Sequence, residues 1–203
     1  PTIPFDMTGG ILMGTGTLTT SGPLNWSGGT MQSTGVTTCN GPLNISGTAA
    51  RGIQLGRTLN NNATCNYTAT GTGNLIASTA AVINNPGTWD LKADGSLVWG
   101  VGPAPVFNNT GTLKKSAGTG TSFVQLPFVN TGIVLVQSGT VNSNQGGSST
   151  GNFDIGPGRT LQSGGGTCHD DAGTTFTGSG NVLRSAATLS VNAAIGIPAT
   201  IPF

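Results

Sequence analysis

Groups able to do acid–base, redox or metal chemistry are scarce in this 203-residue chain, and one short run sets four of them side by side: Cys168-His169-Asp170-Asp171. A thiol, an imidazole and two carboxylates are the donors of a divalent-metal site, or of a proton relay. The spacing matches no closed zinc site, however, and consecutive side chains of a strand point to opposite faces. A solvated corner or loop is therefore the expected setting. Asp90 and Asp94 lie beside Gly95 and read as corner residues. Lys114 and Lys115 have no acid close in sequence, and with Lys92 they are expected on a solvated face. A β-helical polysaccharide lyase would need clustered acids for calcium and a base for proton abstraction. This pattern supplies neither, so the expectation is a non-enzyme with no cofactor and no bound metal. The three cysteines leave two readings open: Cys65 as a buried thiol, or a Cys39–Cys65 disulfide with Cys168 free or paired to a neighbouring chain.

The composition limits which elements could position these groups. Charged residues are 6% of the chain, glutamate is absent, Ser plus Thr number 48 and Asn 18. Strong helix formers are too sparse for amphipathic surface helices, which excludes bundles and coiled coils. Leu, Ile, Val and Phe total 45 and the net charge is +1, a combination that argues against disorder. Near-zero net charge, with no basic stripe, also argues against nucleic acid or an acidic membrane surface as partner. No apolar run approaches the roughly 20 residues of a membrane span. The chain starts at Pro1 with no basic or apolar leader, so any signal peptide is expected to be removed or to lie elsewhere.

Internal repeats are the strongest signal. Leu59-Asn-Asn-Asn-Ala-Thr-Cys65 returns in outline as Ile83-Asn-Asn-Pro-Gly-Thr-Trp89, Phe107-Asn-Asn-Thr-Gly-Thr-Leu113 and Phe128-Val-Asn-Thr-Gly-Ile-Val134, at offsets of 24, 24 and 21. Gly22-Pro-Leu-Asn-Trp-Ser-Gly28 returns as Gly41-Pro-Leu-Asn-Ile-Ser-Gly47, at an offset of 19. Short strands joined by corners, one coil per repeat, explain both the period and the small apolar fraction. A β-sandwich need not repeat such a string, and propeller blades are about twice as long. The expected fold is thus all-β: a single-stranded parallel β-solenoid (β-helix) with coils of about 19–24 residues, roughly nine to ten of them, on the order of 45 Å long. Leu59, Ile83, Phe107 and Phe128, with Cys65, Trp89, Leu113 and Val134, are expected to stack in its core. Asn61, Asn85, Asn109 and Asn130 hold one place in four coils and could form an amide ladder that satisfies corner backbone. Gly87, Gly111 and Gly132 are expected to supply positive φ at those corners. Pro103 and Pro105 mark an interrupted coil or a loop.

Thr2-Ile3-Pro4-Phe5 is repeated as Thr200-Ile201-Pro202-Phe203, an offset of 198. Residues 1–203 therefore read as one continuous solenoid unit, about one period of a longer tandem array or filament, with Ile3, Phe5, Ile201 and Phe203 at its junctions. The strings Phe107-Asn-Asn-Thr-Gly-Thr-Leu-Lys-Lys-Ser-Ala-Gly-Thr-Gly-Thr121, Val134-Leu-Val-Gln-Ser-Gly-Thr-Val141, and Ser149-Thr-Gly-Asn-Phe-Asp-Ile155 followed by Gly164-Gly-Gly-Thr167 carry a resemblance. Over residues 83–167 above all, the chain resembles the Gly/Thr/Asn-rich solenoid repeats of very large bacterial surface proteins, in the style of filamentous-haemagglutinin and autotransporter passengers. The resemblance implies export, an extracellular or cell-surface location, and a rod serving as stalk, adhesin or coat; it implies no activity. The three cysteines and the segment around Pro103 depart from its pattern.

The expected role is a structural block of an extracellular fibre, stalk or surface layer, its partner being further copies of itself end to end. An adhesin for a surface glycan is the alternative, with the 99–106 loop, Trp26 and Trp99 as candidates, although Trp26 aligns with Ile45 and is expected to be buried. Sequons at Asn25, Asn44, Asn62, Asn66 and Asn108 are no more frequent than the composition explains. Ice binding is a third reading, weakened because Thr-x-Thr pairs such as Thr15/Thr17, Thr68/Thr70 and Thr110/Thr112 do not recur once per coil.

Overall fold

The computed structural model describes residues 2–198 and contains strands and no helix among them. Every strand pairing is parallel, and the chain winds into a β-solenoid of nine coils with three faces each. Ladder partners on face 1 run Phe5, Leu24, Leu43, Cys65, Trp89, Leu113, Val134, Phe153 and Phe176, one per coil. Face 3 runs Thr37, Leu59, Ile83, Phe107, Phe128, Gly147, Cys168 and Leu189 from the second coil to the ninth. Two strands, Phe5–Leu12 and Leu24–Met31, continue round the corner from face 1 to face 2 and join those faces into one sheet. The loop at Pro103 and Pro105 also stacks on the coil below, with Thr79 and Ala80 N–H donating to the Val101 and Pro103 carbonyls at 2.8 Å. Corners absorb the variation in coil length while the ladders stay in register.

Alternation along each strand makes a thin continuous core. All eight expected core residues are buried, from Leu59 and Cys65 at 0% exposure to Phe128 at 8%. Through the middle coils the core is aromatic: Tyr67, Trp89, Phe107 and Phe128 follow one another with ring centroids 6.3, 5.5 and 5.5 Å apart. Beside them runs the amide column, pointing inward. Asn61 Nδ2 donates to Asn85 Oδ1 at 2.7 Å, Asn85 to Asn109 at 2.7 Å, Asn109 to Asn130 at 2.8 Å, and Asn130 to Ser149 Oγ at 3.3 Å. The second N–H of each of the first three reaches a corner carbonyl of the next coil, Thr88, Thr112 and Ile133, at 2.9–3.1 Å.

The corner glycines are required for a different reason from the one expected. Gly87, Gly111 and Gly132 are not among the residues with positive φ. Instead, a Cβ at each would strike the carbonyl of the corner beneath: Ala63 under Gly87, Gly87 under Gly111, Gly111 under Gly132. Stacked corners bring backbone against backbone, and only hydrogen fits between.

Replacing Asn109 by Ala orphans one Asn85 N–H and the Asn130 Oδ1, both buried, at roughly 1–3 kcal/mol for each group. Urea unfolding is expected to show this as a large drop in midpoint, whereas Asn108→Ala, on the solvent side of the same strand, changes it little.

Candidate functional site

Of the Cys168–Asp171 run, the first three residues lie in the strand Thr167–Asp170 rather than in the solvated corner expected of them, and Asp171 falls just beyond it, before a turn. Alternation splits its chemistry: Cys168 and Asp170 face inward, while His169 faces out, aligned with Ser148 and Ser190. Asp170, 3% exposed, accepts from Arg184 Nη2 at 2.9 Å, and Arg184 Nη1 donates to Ser163 Oγ. Burial pushes the Asp170 carboxyl above its ordinary value, and Arg184 only partly offsets this. The pair borders a cavity of about 30 Å³ lined by Phe128, Val141, Phe153, Leu161 and Cys168. The cavity exists because Gly147 occupies an inward place between Phe128 and Cys168 and contributes no side chain. Its volume suits a water or two rather than a substrate. No group of three His, Cys, Asp or Glu side chains is placed to hold a metal among the described residues.

The lysines part company. Lys92 and Lys114 face solvent, Lys92 donating to Asn66 Oδ1 at 2.8 Å and Lys114 lying 3.9 Å from Asp90. Lys115, expected on that same face, is fully buried instead, because alternation turns it inward one residue after Lys114. Its Nζ donates to Asp94 Oδ1 at 2.8 Å, Ser122 Oγ at 3.0 Å and the Ala93 carbonyl at 3.3 Å. The Lys115 ammonium in turn holds the Asp94 carboxyl below its ordinary value. Asp94 is the corner residue expected; Asp90 lies in the strand Thr88–Leu91 and is buried.

Two further buried cations carry no sequence signature. Arg51, 1% exposed, has no acid beside it; Nε donates to the Trp26 carbonyl at 3.0 Å, Nη1 to Gly73 at 2.8 Å, and Nη2 to Ser27 at 3.3 Å and to Ser46. It pins the corners of three successive coils. Burial lowers its pKa from the usual guanidinium value. Arg57 does the same one corner on, through Gly14, Val36 and Thr37.

Of the two readings of the cysteines, the structure has the buried Cys65 thiol, and the alternative Cys39–Cys65 bridge is not formed. All three cysteines are free and buried; Cys39 lies on face 3 aligned with Asn61, and Cys65 on face 1 between Leu43 and Trp89. Burial raises the Cys39 thiol to about 11 and the Cys65 thiol well above its usual value. Because a thiol stands where the amide column would continue downward, the buried Asn61 Oδ1 is left without a donor. Trp26 is buried opposite Ile45, and Trp99 is partly buried against the core rather than presented as a platform for a sugar. Ile3 and Phe5 lie at the open first coil, 87% and 37% exposed; Ile201 and Phe203 lie outside the described residues.

The outward side chains of face 3 are the most regular surface feature. Thr17, Val36, Thr58, Val82 and Val106 are ladder partners in the first five coils, and two residues on, Thr19, Thr38, Asn60, Asn84 and Asn108 form a second column. The second is tied by hydrogen bonds from Asn60 to Thr38 at 3.2 Å, Asn84 to Asn60 at 2.9 Å and Asn108 to Asn84 at 2.9 Å. A similar outer ladder on face 1 runs from Asn66 through Asn44 and Asn25 to Asp6, with spacings of 2.7–2.9 Å. A strict Thr-x-Thr pattern does not reveal these columns, because one mixes Thr with Val and the other Thr with Asn.

Two outcomes follow from the buried groups. Native protein should resist thiol-specific reagents at Cys39 and Cys65, and unfolded, unreduced protein should take up three adducts by mass. Asp94, with its folded pKa below 3.8, contributes stability that is present above that value and lost as pH falls through the folded one. Asp170 has the opposite sign: its raised folded pKa favours the fold below 3.8, and that contribution is lost as pH rises through the folded value. Asp94→Asn is therefore expected to lower the melting temperature near neutrality and flatten its fall toward about pH 2.

Comparison of the chain with family models, with curated proteins and with solved structures returns no match.

Proposed function

We propose that this chain is a non-enzymatic structural segment of an exported β-solenoid rod, extended end to end by further coils of its own kind in a fibre, stalk or surface layer. The observation that carries this reading is the way the inner columns reach both ends of the described coils. Phe5 and Val191 occupy inward places, yet are 37% and 52% exposed because no complete coil among the described residues covers them. Beyond the ninth coil, Ile195 and Ile197 follow Val191 at the spacing by which Leu43 and Ile45 follow Cys39, and both pack against the core. They read as the first inward pair of a tenth coil. Added coils would complete the turn that Ile195 and Ile197 begin beyond Phe153 and Phe176, which stack at 5.2 Å, and would set an inward residue on Leu189. They would also cover strand edges that otherwise invite pairing.

The absence of titratable groups from both outer columns of face 3 in the first five coils, and the engagement of the inward charges in tying coils, suit a scaffold better than a catalyst. Kinship with filamentous-haemagglutinin and autotransporter passengers, export, and a 198-residue tandem period belong to the same reading; the matching string at 200–203 lies outside the described residues.

Sedimentation and electron microscopy of the purified chain test it. Rods longer than a single nine-coil unit, growing with concentration and abolished by Phe5→Asp combined with Val191→Asp, are expected. Particles of one unit length at every concentration would overturn the reading.

A further inference from the structure

We propose that the outer surface of face 3, over the first five coils, binds ice. The two outward columns form a two-rank array whose register is unbroken from Thr17 to Val106 and from Thr19 to Asn108. Parallel ladders set its repeat along the rod at about 4.8 Å, and the two-residue step across the strand at about 6.6 Å. Hexagonal ice presents rows of oxygens with repeats of comparable size in two directions. A surface with one such periodicity in each direction can meet many lattice sites at once, which a single hydroxyl cannot.

The chemistry of the two ranks suits ordered water. The first rank is wholly β-branched, Thr or Val, so its γ-methyl groups stand in restricted rotamers. The second carries hydroxyls and amides, and the Asn108–Asn84–Asn60–Thr38 hydrogen bonds hold these side chains in place before any ligand arrives. Preordering of this kind removes much of the entropic cost of binding a rigid lattice. Neither rank contains a charged residue to impose its own hydration, or an aromatic ring on which a sugar would stack. The face thus differs from face 1, where Asp90, Lys114 and Asp154 share the outward column. Extension of the rod by further copies leaves face 3 uncovered, so the two properties are independent.

Ice-crystal morphology, thermal hysteresis and recrystallisation inhibition with the purified chain provide the test. Wild type is expected to facet growing ice and to suppress recrystallisation. Thr38→Lys and Val82→Lys, each placing a charged, mobile side chain in one rank, should lose at least several-fold of this effect with unchanged circular dichroism and melting temperature. Leu135→Lys, outward on face 1, should retain it. Unfaceted ice with wild type, an equal loss in Leu135→Lys, or binding to insoluble polysaccharide without any effect on ice would overturn the assignment. Sedimentation of the face 3 variants reports separately on end-to-end assembly.

Discussion

An amide buried in a solenoid core has one place to find its partner: the same position one coil away. That constraint organises this molecule. Asn61, Asn85 and Asn109 can be buried only because each donates to the next amide and to the corner carbonyl beyond it, and Asn130 because it accepts from Asn109 and donates to Ser149. Their stacking in turn requires that four coils agree in register although they differ in length. Insertions are therefore confined to corners, as at Pro103 and Pro105, where the added chain still lies on the coil beneath. The glycine column at Gly87, Gly111 and Gly132 follows from the same geometry, since corners held in register at β-sheet spacing leave no room for a Cβ.

Buried cations extend this logic to the other corners. Arg51 and Arg57 donate to backbone carbonyls and a hydroxyl in neighbouring coils without a carboxylate beside them, and Lys115 combines a carboxylate, a hydroxyl and a carbonyl. A guanidinium with five donors suits a corner where carbonyls of successive coils converge. The column changes character toward the C-terminal coils. After Asn130 the amide place passes to Ser149, then to Asp170 paired with Arg184, while Gly147 interrupts the aromatic core and leaves the small cavity. The last coils are held by an ion pair and by the stacked Phe153 and Phe176 where the middle coils use amides and a longer run of rings.

Chemistry-bearing residues, read along the chain, thus become stacking devices once folded. The thiol–imidazole–carboxylate run divides between core and solvent, and the cysteines serve as small buried groups. What remains for recognition is the surface, and there the same once-per-coil rule produces ordered columns: amides and charges on face 1, methyls, hydroxyls and amides on face 3. The proposed rod-building and the proposed surface recognition draw on one cause, the superposition of coils.

The sequence by itself determined the coil. The recurrence of Leu59, Ile83, Phe107 and Phe128 with an asparagine two places on, and the scarcity of charge and helix formers, specified a parallel solenoid, its inner apolar stack and its amide column. Those follow from local alternation and a repeated string, which survive in one dimension. Only the tertiary structure decided which way Lys115 and Asp170 face relative to their neighbours, that Arg51 is buried without an acid, that Gly111 answers a carbonyl rather than a torsion angle, that Cys39 and Cys65 stay apart, and that Thr17, Val36, Thr58, Val82 and Val106 share one surface. Each depends on what lies one coil above or below, and coils of 19 to 24 residues hide that neighbour from any fixed offset in the chain.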